Sequence, residues 1–131
     1  MRFLQIIPAV FAASTLAAKF EGFVDISCQR YSGDYRLITA ADQQKIVVDK
    51  WASTVTAQET SRAFSPKGIC PSNADDTYKW IEMPQWNDVE TRFGRTAGGA
   101  IAVVYFNETD TYHACRYLAS VQPNGYKGQC K

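Results

Sequence analysis

From Gly99 to Ser120 an apolar run, a polar turn and an alternating run follow one another without a break. Ile101, Val103, Val104, Tyr105 and Phe106 have the β-branched and aromatic character of a buried strand, and Asn107 to Asp110 is turn chemistry. Tyr112, Ala114, Arg116, Leu118 and Ser120 then alternate with His113, Cys115, Tyr117 and Ala119. The pattern predicts a β-hairpin, opened by Gly98-Gly99 and closed by Pro123-Asn124-Gly125. A hairpin cannot bury an apolar face alone, so other segments must cover it. Phe20 to Tyr31 alternates, with Phe23, Val24, Ile26 and Cys28 inward, and predicts an N-terminal strand. It turns at Ser32-Gly33-Asp34 into a second arm, Tyr35 to Ile38. Thr39 is an N-cap residue with Asp42 three positions on, which predicts a helix from Ala40 to near Ser53. Ile46 or Val47, Val48, Trp51, Ala52 and Val55 share its apolar face, with Trp51 as core anchor, while Gln43, Gln44, Asp49 and Lys50 suit water. Thr77 to Met83 predicts a third strand, with Tyr78 and Trp80 alternating with Lys79 and Glu82 up to Pro84. Thr56 to Asp76 and Gln85 to Ala97 read as long loops, the second with room for a helical turn, and Gly125 to Lys131 as a final edge strand.

One helix across an antiparallel sheet is the economical packing of this order. The expectation is therefore a single α+β domain, one helix packed on a central antiparallel β-sheet. The first 18 residues read differently. Arg2, the apolar run Phe3 to Phe11 and the small residues Ala12 to Ala18 have the layout of a secretory signal peptide cut after Ala17 or Ala18. That run is too short for a comfortable membrane span, so a secreted domain of residues 19–131, not associated with membrane, is expected. Cys28, Cys70, Cys115 and Cys130 show no CxxC spacing, which favours two disulfides over a zinc site; no metal or cofactor is expected, and the sequence leaves three pairings open. Removing Arg2 with the signal peptide leaves 13 basic and 13 acidic side chains, without the basic excess of a general polyanion binder.

Local chemistry offers a few candidates. Lys67, Lys79, Arg92, Arg95 and Arg116 would line an RNA-binding cleft, with Tyr78, Trp80 or Tyr117 for base stacking, the alternative being that the aromatics are core and the cations solvated. Trp86 and Phe93, among polar residues of a loop, have the composition of a protein-interface anchor, though Trp86 would equally cap the sheet. Asn107-Glu108-Thr109 is a glycosylation sequon in a turn. His113 is the sole histidine, and Glu82, Glu90 and Glu108 are the carboxylates nearest in role to a base, none with a matching partner.

The ordered set of elements, with Tyr78-Lys79-Trp80 in the third strand, Val104-Tyr105-Phe106-Asn107-Glu108 at the hairpin and a terminal Cys130, resembles the small secreted guanyl-specific fungal ribonucleases. The resemblance runs from Cys28 to Cys130 and implies a microbial-ribonuclease-like fold with a Cys28–Cys130 disulfide, Cys70 and Cys115 forming the second pair. The family's catalytic residues have no counterparts here. Lys79 stands at the position of the general-base carboxylate, Val103 near that of the arginine and Leu118 near that of the general-acid histidine, while Ser65-Pro66-Lys67 replaces a Tyr-Pro-His loop motif. Without an acid and a base on opposite sides of the reacting phosphate, in-line transesterification has no proton relay. A catalytically empty domain of this kind is similar to the RNase-like effectors of powdery mildew fungi, although Ile26-Ser27-Cys28 stands where many of that group carry Tyr-x-Cys. The resemblance implies a monomeric, non-enzymatic effector delivered into plant cells, binding a host protein and in some cases RNA, and open to recognition by an intracellular immune receptor. The alternatives are an active guanyl-preferring ribonuclease with a relocated site at His113, and an extracellular small-ligand binder on the same scaffold.

Overall fold

The computed structural model describes residues 18–54, 77–88 and 98–131. Residues 1–17, all but the last residue of the expected signal peptide, lie outside the described set, as do Val55, Lys67, Cys70, Arg92, Phe93 and Arg95. Among the described residues, no helix is long and apolar enough to cross a membrane.

The predicted hairpin forms from strand β5 (Ala100–Phe106) and strand β6 (Thr111–Leu118), joined by the turn at Asn107–Asp110. Asp110 closes the turn in the left-handed region, φ 52°, which short polar side chains tolerate. Gly99 opens the hairpin because nothing larger fits: a Cβ there would stand 2.7 Å from the Leu118 carbonyl oxygen and 2.9 Å from Trp86. Strand β4 (Thr77–Glu82) pairs antiparallel with the other edge of β5, as the alternation predicts. The register of β5 against β6 slips between Ala102 and Val103, whose partners are Arg116 and Ala114, so Cys115 is an extra residue in a bulge.

The antiparallel expectation needs one correction. Strand β1 (Lys19–Glu21) runs parallel to β6 at the sheet's far edge, so the sheet is mixed, in the order β1-β6-β5-β4. The single N-terminal strand expected from Phe20 to Tyr31 is in fact two. Gly22, with φ 77°, turns the chain out of β1 before β2 (Ile26–Gln29) begins. β2 pairs with β3 (Tyr35–Ile38) in a separate two-stranded sheet. The expected last strand, Gly125 to Lys131, contributes isolated bridges instead, Val121 to Lys127 and Cys28 to Cys130.

Helix α1 (Ala40–Trp51) starts where capping chemistry places it, with the Asp42 N–H donating to the Thr39 side chain at 3.2 Å. Val47 enters the core with Ile81, Ile101, Val103 and Ala114 from one face of the sheet, and Ile46 and Trp51 pack against them. Two helix residues depart from the amphipathic reading. Val48 is half-exposed, and Gln43 is fully buried because its amide finds three partners inside. Val24, expected inward, is likewise exposed. Trp51 anchors as expected, its ring against Tyr112 at 5.1 Å and Tyr105 at 6.2 Å. One disulfide is described in full, Cys28–Cys130, between residues 102 apart in sequence. Cys115 is also disulfide-bonded, and no described cysteine is a free thiol.

Candidate functional site

Alternation places Tyr78, Trp80 and Glu82 of β4, Ala102, Val104 and Phe106 of β5, and His113 and Arg116 of β6 on the sheet face opposite the helix. Its centre is closed to solvent, with Ala102 and Val104 at 0 % and Tyr78 at 6 % relative exposure, and Trp80, Phe106 and Cys115 packed against them. Charged groups are confined to the margins. Arg116 is exposed and shares a row with Ala102 and Trp80, the one expected RNA-binding cation that the described structure leaves on an accessible strand.

Lys79 lies on the other face. It is 7 % exposed, its ammonium donates to the Trp51 carbonyl and it sits 4.8 Å from the centre of the Trp51 ring. A cation at the helix's C-terminal end complements the negative pole of the helix dipole. Lys79 is therefore a buried tie between β4 and α1 rather than a phosphate ligand, which corrects the expectation. Lys67, Arg92 and Arg95, the other expected members of the cleft, lie outside the described residues.

Trp86 ends a short 3-10 turn, Pro84–Trp86, and of its two expected roles it takes that of a cap on the sheet, not that of an interface anchor. It is fully buried, with its Nε1 donating to the Arg36 carbonyl at 2.8 Å and its own carbonyl accepting from Ser120 Oγ at 2.5 Å. An indole so enclosed links the β2–β3 hairpin to the main sheet and is not an exposed anchor for a partner. Phe93, paired with it in the expectation, lies outside the described residues. Asn107 is exposed in the hairpin turn, an accessible position for its sequon.

His113 has a carboxylate beside it that the sequence did not suggest. Its Nδ1 stands 3.4 Å from Glu21 Oε1, because the parallel pairing of β1 with β6 sets Glu21 opposite His113. Both are solvent-accessible, and the Phe106 ring lies 5.9 Å from the imidazole. No local signal announces a parallel pairing between residues 92 apart in sequence. Glu82, the other carboxylate on this face, pairs with Ala100, four residues along β5 from the partner of His113, Val104. That separation is about 13 Å along the strands and about 10 Å across two strand spacings. Glu82 and His113 cannot flank one phosphate.

Ionisation elsewhere is governed by local clamps. Asp34, bonded first to Arg30 and then to Ser32, has its carboxyl pushed down to about 2. Burial raises the Asp88 carboxyl, but hydrogen bonds from Ser32 and Tyr31 outweigh it and hold the group below its ordinary value. Tyr105 donates to Asp110 at 2.5 Å, and that bond, with burial second, pushes its phenol up to about 12. Among the described residues no group of three or more His, Cys, Asp or Glu is placed to hold a metal ion.

No protein-family model, curated protein or solved structure matches the chain.

Proposed function

We propose that this protein is a secreted, non-enzymatic effector on a microbial-ribonuclease-like scaffold, with two disulfides, acting by binding a host protein. The order of a small hairpin, one helix and three antiparallel strands, with a disulfide joining the hairpin to the C-terminal end, supports the scaffold reading. The second disulfide, Cys70–Cys115, is consistent with the bonded state of Cys115. The absence of an enzymatic role rests on one observation. The position that the resemblance gives to the catalytic carboxylate holds Lys79, which is turned into the core beneath Trp51, so that no carboxylate stands there to take a proton.

The test is RNA cleavage by the oxidised, secreted protein, with an active fungal ribonuclease as reference. The expected result is no cleavage above a mock preparation. Cleavage that disappears in a His113→Ala variant would overturn the reading and favour a relocated site, for which the contact of His113 with Glu21 is the specific argument. Salt-sensitive RNA binding without cleavage would place RNA among the partners and Arg116 next under test.

A further inference from the structure

Along β2 the side chains alternate, Cys28 entering the core and Gln29 turning outward beside its cross-strand partner Tyr35. The C-terminal turn lies against this outer side, and between the two opens a cleft of about 540 Å3. Its floor is fixed. Gln29 Nε2 donates to the Gly33 carbonyl at 3.1 Å while its Oε1 accepts from the Gln129 N–H at 2.9 Å. Gln122 Nε2 donates to the carbonyls of Arg30 at 2.9 Å and Ser120 at 3.0 Å. The Cys28–Cys130 bridge and the paired backbones of Ser27 and Lys131 hold the two walls together.

The rim is chemically open. Among the described residues no hydrogen bond or ion pair occupies the Lys127 ammonium, the Gln129 side-chain amide, the Asn124 amide nitrogen or the Tyr35 hydroxyl. No carboxylate side chain is among the described lining residues, and the Lys131 ammonium stands 4.0 Å over the Tyr35 ring. Amide groups that donate and accept suit hydroxyls, and the Lys127 ammonium, with no acidic side chain among the described lining residues, suits an anion. A rigid, pre-bonded floor lowers the ordering cost of binding. A nucleotide would want an open aromatic face to stack on, whereas a face of Tyr35 is already taken by Lys131.

We propose that this cleft binds an acidic oligosaccharide, its hydroxyls held by Gln129, Asn124 and Tyr35 and its carboxylates by Lys127 and Lys131. The cleft uses other residues than the sheet face considered above, so its test stands or falls apart from the effector reading.

The probe is a trimer of galacturonic acid, titrated into the oxidised, 15N-labelled protein and followed by amide chemical shifts. A neutral galactose trimer and guanosine monophosphate serve as comparators. Expected are shifts confined to the segments 29–35 and 122–131, with a dissociation constant of about 1 mM or tighter. Lys127→Ala should weaken binding roughly tenfold by removing a charge-assisted bond, and Gln129→Ala should weaken it less. Both are surface changes that leave the fold intact, which the unchanged amide spectrum of each variant verifies. The proposal is overturned by equal binding of the neutral trimer, by tighter binding of the nucleotide, by shifts elsewhere on the molecule, or by no saturation at about ten times that concentration.

Discussion

Gln43 and Asp49 lie on the same helix and both suit water by pattern, yet mutation should cost much at the first and almost nothing at the second. Gln43 is 0 % exposed. Its Nε2 donates to the carbonyls of Val24 at 2.7 Å and Ile38 at 2.8 Å, and its Oε1 accepts from the Tyr117 hydroxyl at 3.0 Å. Tyr117 shares its single hydroxyl proton between Gln43 and the Gly22 carbonyl at 3.1 Å, and accepts from the Val24 N–H at 3.0 Å. One amide thus joins the helix to the segment between β1 and β2, to the end of β3 and to β6. In Gln43→Leu the Ile38 carbonyl loses its donor in a buried setting and the Val24 carbonyl in a partly buried one, at about 1–3 kcal/mol each, while Tyr117 keeps its other partners. Added apolar burial offsets part of this, so the net loss is roughly 3 kcal/mol. A domain of this size has about 6–17 kcal/mol in total, so a loss of that order is readily measured. Asp49→Ala, at an exposed position, should stay within about 0.5 kcal/mol. Urea denaturation followed by tryptophan fluorescence reads both, with an unchanged m-value showing that the loss is one of native stability. A Gln43→Leu loss below about 1 kcal/mol would mean that water or backbone relaxation replaces the amide, and the account of the network would fail.

Cys28→Ser should cost about 4–5 kcal/mol, since the bridge closes a 102-residue separation and constrains the unfolded chain; paired denaturation curves of variant and wild type measure it. Trp86→Ala should destabilise the whole domain by about 3–5 kcal/mol; a change confined to partner binding, with the melting curve unmoved, would restore Trp86 as an interface anchor. The Asp34 carboxyl is depressed by Arg30 to about 2 from an ordinary 3.8, so its contribution to stability is complete above the ordinary value and is lost as pH falls through about 2. Arg30→Ala should raise the Asp34 midpoint towards 3.8 in an NMR titration. Asp110→Asn should bring the Tyr105 phenol down from about 12 towards 10, read as tyrosinate absorbance.

Where local chemistry decides, sequence and structure agree residue by residue. Thr39 caps the helix, Asn107 to Asp110 turns the hairpin, and the alternation of β4 gives a strand ending before Pro84. Parity along a strand was legible; the face was not. Lys79 and Trp80 are adjacent and must point opposite ways, but only the position of the helix decides that Lys79 is the buried one. The candidate site suffered most, because cations and aromatics chosen for exposure by residue type are assigned to core or surface by packing. Trp86 went inside since Gly99 lets it approach and Arg36 offers a carbonyl. The cleft beside Tyr35 gave no signal at all, being assembled from residues about 90 positions apart that no local pattern relates.

By itself the sequence determined the α+β class, the helix start, the hairpin and the readiness of its cysteines to bond, because capping, turn chemistry and period-two alternation act within a few residues. The tertiary structure alone decided the parallel edge strand that brings Glu21 to His113, the burial of Gln43, Lys79 and Trp86, and the walls of the cleft. Each depends on which distant surface arrives to desolvate a group or to offer it a partner, and that is a property of the packed chain as a whole.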